Sequence, residues 1–234
     1  MPELPEVETI AADLRPHLVG RTFLRCDLRF PTMVRHPEPE AFIDSIVGMR
    51  VTSVGRRGKY ILIRLEDDLV LVVHLGMSGQ LRLVDPSTPM SLHTHVVFDL
   101  DDGMQLRYRD PRRFGRLLLG TESALLEARA MPPLGPEPID PGFGADDLYQ
   151  RFRNRKALIK AVMLDQSTIA GVGNIYADES LYRARVRPDR VARSLSKGSV
   201  RRRGRRPAAS PAAVRSLPMH RDTCRRSCRG SGSR

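Results

Sequence analysis

Two adjacent residues near the start of the chain, Pro2 and Glu3, carry the groups that amine catalysis needs. If Met1 is removed, as a small second residue usually permits, Pro2 has a free secondary amine, and α-amino groups ordinarily keep a neutral, nucleophilic fraction near neutral pH. Such an amine condenses with an aldehyde carbon to a cationic iminium, which withdraws electrons without a cofactor, and Glu3 can act as the general acid. Proline and carboxylates also suit the first turn of a helix, so a purely structural role for both residues stays open.

The segment that must hold these two residues has the pattern of an amphipathic helix. Between Pro5 and Leu18, apolar residues recur at spacings of three and four positions, and Gly20 follows as a stop signal. The sequence therefore predicts a helix that begins almost at the amino terminus.

Residues 23–119 have the turn signals and apolar runs of β-strands. Acidic turns at Glu66–Asp68 and Asp101–Gly103 separate apolar runs and indicate two hairpins. With a short helix at Glu38–Val47, the spacing predicts an antiparallel β-sandwich or barrel. The predicted strands are Phe23–Phe30, Tyr60–Leu65, Leu69–Leu75, Gln80–Val84, His95–Leu100, Gln105–Arg109 and Arg116–Leu119.

A change of composition divides the chain after this β region. Five prolines in Met131–Gly144 indicate a linker, and apolar spacing beyond it predicts one helix that includes Leu148 through Met163 and a second at Asn174–Arg183, separated by a glycine-bearing turn. The sequence thus predicts an α+β protein with a β-sandwich in 1–130, a linker in 131–144 and a short helical domain in 145–196. We expect the Arg/Ser-rich residues 197–234 to be disordered, because they have too few apolar side chains to offset the entropy of ordering.

The net charge of +12 comes from the last part of the chain. Residues 190–234 carry 14 basic side chains and one acidic one, whereas residues 1–189 carry 25 basic and 26 acidic ones. The overall charge is therefore no argument for nucleic-acid binding by the body of the protein. A local basic stripe does exist from Arg151 to Lys160, where no acidic residue intervenes.

Cysteine usage and hydropathy bear on the compartment. Three cysteines do not make a disulfide framework, so a reducing environment is expected. The first residues lack the pattern of a signal peptide and no apolar run approaches 18 residues. We expect a cytoplasmic, nucleoid-associated protein without a membrane partner, and no pattern indicates an oligomer.

Five motifs, in order along the chain, resemble those of the bacterial formamidopyrimidine-DNA glycosylase family. The leucine at position 4 and the motif beginning at Asp110 favour this family over its relative, endonuclease VIII. The resemblance extends from residue 1 to about Ser196. The motifs are Pro2-Glu3-Leu4-Pro5-Glu6-Val7-Glu8-Thr9, Gly58-Lys59-Tyr60, His74-Leu75-Gly76-Met77-Ser78-Gly79, Asp110-Pro111-Arg112-Arg113-Phe114-Gly115 and Gly171-Val172-Gly173-Asn174-Ile175-Tyr176-Ala177.

The resemblance implies a base-excision-repair enzyme that flips an oxidised purine, such as 8-oxoguanine or a formamidopyrimidine, out of double-stranded DNA. It implies removal of the base and strand nicking through a Schiff base, with Pro2 as the attacking amine, Glu3 as the acid and proton shuttle, and Lys59 as a proton donor beside the phosphate. It further implies a β-sandwich followed by a helix-two-turns-helix domain in a monomer. Taken alone, a lysine at a strand edge is usually only a solvated charge.

The resemblance also implies residues that hold the DNA. Met77, Arg112 and Phe114 would fill the space left by the flipped base, with Met and Phe as apolar wedges and Arg facing the partner base. Phosphate contacts are implied for His74, His93, Arg155, Lys160 and Asn174. Several of these residues have a simpler interpretation: Met77 in a turn, Phe114 in the core, Arg112 with Arg113 on a solvated face, Asn174 as a helix N-cap, and His93 with His95 as two surface residues on one side of a strand.

The chain departs from the family after Ser196. The resemblance implies a zinc ribbon with four cysteines in paired Cys-x-x-Cys form, but three residues, not two, separate Cys224 from Cys228 and no second pair exists, so we expect no metal or other cofactor. His220, Cys224 and Cys228 have helical spacing, but their Arg/Ser-rich surroundings do not favour a metal site. The abrupt change of pattern suggests an out-of-frame end. Two alternatives to the enzyme therefore stay open: a non-catalytic remnant, and a nonspecific DNA binder that uses its basic tail.

Overall fold

The computed structural model describes residues 2–201, which form a β-sandwich followed by a small helical domain. The helices are α1 Leu4–Leu18, α2 Pro39–Ile46, α3 Glu122–Glu127, α4 Ala145–Phe152, α5 Ile159–Leu164, α6 Asn174–Ala184 and α7 Lys197–Arg201. The strands are β1 Phe23–Leu28, β2 Val34–His36, β3 Val51–Arg57, β4 Tyr60–Leu65, β5 Val70–His74, β6 Gln80–Val84, β7 Thr94–Leu100, β8 Gln105–Arg109 and β9 Arg116–Gly120. No helix in this part of the chain is long and apolar enough to cross a membrane.

The predicted sandwich is confirmed, with two sheets of four and five strands in the orders β1-β7-β8-β6 and β2-β9-β5-β4-β3. The pairing is antiparallel except for β2 and β9, which run parallel. Sequence reasoning missed β2 and β3. The three residues of β2 are too few for a periodic signal, and β3 interrupts its apolar alternation with Gly55, Arg56 and Arg57.

One hydrophobic core fills the space between the sheets and under α1. Helix α1 buries the apolar face predicted for it, from Leu4 and Val7 to Leu18. The aromatic rings of Phe23, Phe42 and Phe98 meet at the centre of this core, with the centroids of Phe23 and Phe98 at 5.2 Å. Burial of these large rings provides much of the hydrophobic free energy that fixes the sandwich.

The helical domain corrects two sequence predictions. The single helix expected from Leu148 to Met163 is two helices, α4 and α5, because residues 153–158 turn between them and leave Leu158 exposed. The disorder expected from residue 197 does not apply to 197–201, which form α7 and place the buried Val200 in the helical core. Lys197 also pairs with Asp146 of α4, at 3.3 Å. Residues 202–234, with His220, Cys224 and Cys228, lie outside the described residues.

Candidate active site and nucleic-acid interface

Glu3 is buried where the β-sandwich meets the helical domain. Its side chain, 2% exposed, accepts hydrogen bonds from the backbone N–H groups of Gly173, Ile175 and Tyr176 at 2.8, 2.9 and 3.2 Å. These groups belong to the first turn of α6, where the unpaired N–H groups and the helix dipole favour a carboxylate. The contact joins the second domain to the first and fixes the orientation of the Glu3 carboxylate.

The turn before α6 is shaped to admit this carboxylate. A side chain at Gly173 would overlap the carboxyl group of Glu3, and Gly171 has a left-handed φ of +88° while its N–H and C=O lie against residues of both domains. The backbone N–H of Leu4 donates to the carbonyl of Gly171 at 3.1 Å. The glycines of this motif therefore serve the close approach of the α1 start.

Two further side chains surround the start of α1. The backbone N–H of Glu3 donates to Glu6 Oε2 at 3.0 Å, which is one half of a capping box. The hydroxyl of Tyr176 donates to Glu6 Oε1 at 3.4 Å. Pro2, immediately before Glu3, is half-buried. Both open interpretations of Pro2 and Glu3 thus keep physical support: Glu3 and Glu6 organise helix starts, and Pro2 lies beside a fixed carboxylate.

Lys59 lies in the tight turn between β3 and β4 and is buried. Desolvation lowers the pKa of its ammonium group, while the nearby charge of Glu3 acts in the opposite direction. The structure thus brings Lys59 within electrostatic reach of Glu3, although 56 positions separate them in the sequence. A buried ammonium with a lowered pKa releases its proton more readily than a surface lysine does.

An ion pair that sequence reasoning missed fixes this turn. Arg56 donates to both oxygens of Glu137 at 2.8 Å, and the backbone N–H of Gly58 also donates to Glu137. Burial by itself would raise the pKa of Glu137, but its bonds from Arg56 and Gly58 outweigh that effect and lower it. Glu137 belongs to the Pro-rich segment, so the expected linker is in part a docking element. No local pattern distinguishes this glutamate from a solvated one.

His74 lies at the end of β5, close to Lys59. Burial, together with the positive charges of Arg116 and Lys59, lowers the pKa of His74 to about 4. Its ring contacts that of Tyr60, with centroids 5.0 Å apart. At neutral pH, His74 is therefore uncharged, and any contact it makes with a phosphate uses a neutral N–H donor.

Met77, Arg112 and Phe114 come together on two neighbouring loops that follow strands β5 and β8. Met77 and Phe114 are 43% and 52% exposed, which is unusual for side chains of this size and apolarity. The guanidinium of Arg112 lies over the ring of Phe114, 5.0 Å from its centroid. The simpler interpretation of Phe114 as a core residue is wrong because its ring is half in solvent.

His93 is beside these loops but not in the strand where the sequence places it. Strand β7 begins at Thr94, and His93 has a left-handed φ of +67°. The rings of His93 and His95 are nevertheless neighbours, with centroids 6.3 Å apart. The predicted alternation fails because the register shifts between Thr94 and Val96, and His95 is buried rather than on the surface.

The remaining predicted phosphate contacts lie in the helical domain. Arg155 donates to Asp165 at 2.9 Å and to Thr168 at 2.8 Å, and Lys160 pairs with Asp178 at 2.8 Å. The basic stripe is therefore partly neutralised by acids from outside it. Asn174 is exposed at the first position of α6, and the N-cap is Gly173, so the expectation that Asn174 caps this helix is wrong. Glu3 occupies the N–H groups that a phosphate would otherwise use there.

The cysteines do not fit the zinc ribbon that the resemblance implies. The chain has three cysteines, and one of them, Cys26, lies in the core of the sandwich. A four-thiolate site cannot be built from this set. Within residues 2–201, no group of three or more His, Cys, Asp or Glu side chains is placed to hold a metal ion.

Comparisons with known proteins agree with this arrangement. The formamidopyrimidine-DNA glycosylase N-terminal domain matches residues 1–117, and the H2TH domain of the same family matches residues 134–205. The formamidopyrimidine-DNA glycosylase of Desulforamulus reducens is 45% identical over 197 residues, which are 84% of this chain and 71% of the relative. That of a Marinomonas species is 47% identical over 203 residues, which are 86% of this chain and 74% of the relative.

Solved structures of the Lactococcus lactis enzyme have the same fold. Its complex with DNA containing an abasic site matches with a TM-score of 0.78 and 32% identity, over 85% of this chain and 72% of that one. A mutant bound to DNA containing a formamidopyrimidine lesion of deoxyguanosine matches with a TM-score of 0.78 and 33% identity, over 85% of this chain and 73% of that one. The described chain therefore belongs to the formamidopyrimidine-DNA glycosylase family, a family of base-excision-repair DNA glycosylases and AP lyases.

Proposed function

We propose that this chain removes oxidised purines, among them 8-oxoguanine and formamidopyrimidines, from double-stranded DNA and then nicks the strand at the abasic site. The observation that carries the proposal is the Glu3 carboxylate, buried between the two domains and oriented by three backbone N–H groups of α6, directly after Pro2. The relatives' complexes with lesion-containing and abasic DNA support the choice of substrate.

The chemistry begins at the amine of Pro2 once Met1 has been removed. The nitrogen attacks C1′ of the damaged nucleotide, the bond from C1′ to the base breaks, and the base leaves with the proton that the amine loses. Glu3 passes a proton to the ring oxygen, so that the sugar opens and an iminium forms between Pro2 and C1′. Loss of a proton from C2′ then expels the 3′-phosphate, and water releases the sugar fragment.

Lys59 is suited to assist the proton transfers. Its ammonium group is buried, has a lowered pKa and interacts with the charge of Glu3. A cation at this position also stabilises the negative charge on a leaving phosphate. His74, uncharged at neutral pH, adds an N–H donor beside it.

Base extrusion is assigned to the exposed loops. Removing a base from the stack leaves a gap whose filling must offset the lost stacking. Met77 and Phe114 offer exposed apolar surface for this purpose, and Arg112 offers a planar donor for the unpaired partner base.

Borohydride trapping tests this function directly. The full chain, shown by mass spectrometry to begin at Pro2, is mixed with a duplex containing 8-oxoguanine and, separately, with one containing an abasic site, and the iminium is reduced to a stable adduct. We expect an adduct with both duplexes and none with Pro2→Gly, whose folding is checked by thermal unfolding. Absence of an adduct from the folded, processed wild-type chain would refute the proposal.

A second measurement separates the enzyme from a tail-dependent DNA binder. Deletion of residues 202–234 leaves α7 and the buried Val200 in place. The enzyme retains tighter binding to lesion-containing DNA than to undamaged DNA after this deletion. A nonspecific binder that uses its basic tail loses affinity for both.

A further inference from the structure

Asp110 joins the two loops that carry Met77, Arg112 and Phe114. It follows β8 and is completely buried, at 0% exposure. Its Oδ1 accepts hydrogen bonds from the hydroxyl of Ser78 at 2.5 Å and from the N–H of Arg112 at 3.2 Å, and its Oδ2 accepts from the N–H of Gly115 at 2.8 Å. One carboxylate therefore binds Ser78, the residue after Met77, and also Arg112 and Gly115, which precede and follow Phe114 in the same loop.

All of these donors are neutral. Burial by itself would raise the pKa of Asp110, but the bonds from Ser78 and from the backbone of residues 112–115 outweigh that effect and lower it. The carboxylate therefore stays ionised and keeps acceptors on both oxygens. An asparagine in its place has one oxygen and would turn an NH₂ group toward a donor that now binds Oδ1 or Oδ2.

The backbone of Asp110 is tied to the segment that precedes β7. Its N–H donates to the carbonyl of His93 at 3.0 Å. Its carbonyl lies 2.9 Å from Nε2 of His95, and because a carbonyl only accepts, this ring nitrogen carries the proton. Asp110 thus connects three segments that approach the same surface from different strands.

The two loops also pack backbone against backbone. A Cβ atom at Gly76 would lie 2.6 Å from the carbonyl carbon of Phe114, and one at Gly115 would overlap the hydroxyl of Tyr108. The fully buried ring of Tyr108 lies beneath this contact. Because Gly76 and Gly115 have no side chains, the two backbones lie in direct contact. Moving one loop would therefore displace the other.

We propose that Asp110 is a positioning residue that locks the loop of Met77 and the loop of Arg112 and Phe114 into one preformed wedge for the gap left by an extruded base. The inference rests on the proposed function. A wedge ordered before DNA binds avoids the entropic cost of ordering two loops at the moment of base extrusion. Because the wedge acts on stacked duplex DNA, the effect of losing it depends on the substrate, whereas the amine chemistry at Pro2 does not need it.

The test compares Asp110→Asn and Ser78→Ala with the wild-type chain on two substrates. One is a duplex with 8-oxoguanine and a 2-aminopurine next to it, whose fluorescence reports unstacking. The other is a single strand with an abasic site, from which no base has to be extruded. Ser87→Ala is the matched control, since its hydroxyl bonds to Asp85 at 2.5 Å in an exposed loop away from the wedge.

We expect Asp110→Asn to slow excision from the duplex about 100-fold, the loss typical of a displacement of about 1 Å in a positioned group. Ser78→Ala removes a single bond and should slow excision roughly tenfold. Both variants should reduce the 2-aminopurine signal and leave borohydride trapping on the single strand within about threefold of wild type. Ser87→Ala should match wild type throughout.

Several outcomes overturn the inference. Equal losses on the duplex and the single strand by a folded Asp110→Asn protein would mean that Asp110 acts on the chemistry and not on the wedge. If Asp110→Asn does not fold, Ser78→Ala decides, and wild-type excision and fluorescence in that variant count against the lock. A wild-type chain that traps on neither substrate overturns the proposed function itself, which is a different result from a variant that fails on the duplex alone.

Discussion

Two buried carboxylates cross the same domain boundary in opposite directions, and their partners differ. Glu3 reaches from the β-sandwich to three neutral N–H groups of the helical domain and is 2% exposed. Glu137, 4% exposed, reaches from the Pro-rich segment back to the guanidinium of Arg56. A carboxylate that is paired with a guanidinium serves structure, since separating the pair leaves a buried charge. A carboxylate oriented by backbone N–H groups, as Glu3 is, is fixed in position without a hydrogen bond from a cation in the described part of the chain, and it can take part in proton transfer.

The largest expected effect tests the role of Glu3 in proton transfer. Glu3→Gln keeps the size of the side chain but removes the exchangeable proton, so we expect excision of 8-oxoguanine to slow by about 10²- to 10⁴-fold. Single-turnover kinetics measure the loss. Glu6→Gln is the control, because Glu6 binds the backbone N–H of Glu3 and the Tyr176 hydroxyl without touching α6's first N–H groups. Equal losses in both variants would assign Glu3 a structural role only.

The second-largest expected effect tests the structural role of the ion pair between Glu137 and Arg56. Glu137→Gln removes the buried counterion of Arg56, which keeps only the partly exposed Glu8 at 2.9 Å. We expect the free energy of unfolding to fall by about 3 kcal/mol, the low end of the loss for a broken buried pair. Arg56→Met should cost a similar amount, and the double variant should cost less than the two together, because the partners are coupled. Denaturant unfolding gives all three values.

An exposed ion pair in the same chain is the control for that experiment. Arg64 and Glu122 pair at 2.5 Å, with about half of each side chain exposed to solvent. Glu122→Gln should cost less than about 1 kcal/mol, because solvent screens an exposed pair. Strict additivity of Glu137→Gln and Arg56→Met, or a loss no larger than that of Glu122→Gln, would contradict the assignment of Glu137 to domain docking.

Glu3 and Glu137 also show which parts of the site the sequence alone can predict. Period and turn signals predict the strands around the site, and three of them, β4, β6 and β8, have the predicted bounds, because burial on a sheet or helix face repeats along the chain. The catalytic roles of Glu3 and Lys59 came from the motif resemblance, and the structure adds that the two charges interact. No local pattern predicts that Glu137 and Asp110 are buried and accept several hydrogen bonds. Their donors include Gly58 and Ser78, which lie 79 and 32 positions away in the sequence. Contacts of this kind are set by the tertiary fold and leave no local period.

A smaller expected effect concerns His74, which lies near the positive charges of Arg116 and Lys59. The pKa of His74 is lowered to about 4 from its ordinary 6.5, so the folded state holds His74 uncharged where the unfolded chain would protonate it. Stability from this group is complete above pH 6.5 and is lost as the pH falls toward 4. Linkage gives about 2 kcal/mol of loss between pH 7.5 and pH 5.

His74→Gln removes this titration and isolates its contribution. Urea unfolding at pH 7.5 and pH 5 should show a loss smaller than that of wild type by about 2 kcal/mol. His17→Gln is the control, because His17 is exposed on α1 and its replacement should leave the difference unchanged. A wild-type pH dependence in His74→Gln would show that His74 is not held in its neutral form.

The smallest expected effect contrasts the buried pair of Glu137 with the pair of Lys160 and Asp178 in the helical domain. Lys160 pairs with Asp178 at 2.8 Å, and such a pair contributes less than about 1 kcal/mol to folding. If Lys160 exchanges Asp178 for a phosphate, Lys160→Ala leaves the unfolding free energy nearly unchanged but reduces the slope of log affinity against log salt by about 1. Asp178→Asn frees the lysine and should strengthen binding to undamaged DNA. An unchanged salt slope in Lys160→Ala, together with unchanged affinity in Asp178→Asn, would restrict Lys160 to its pair with Asp178 and rule it out as a phosphate contact.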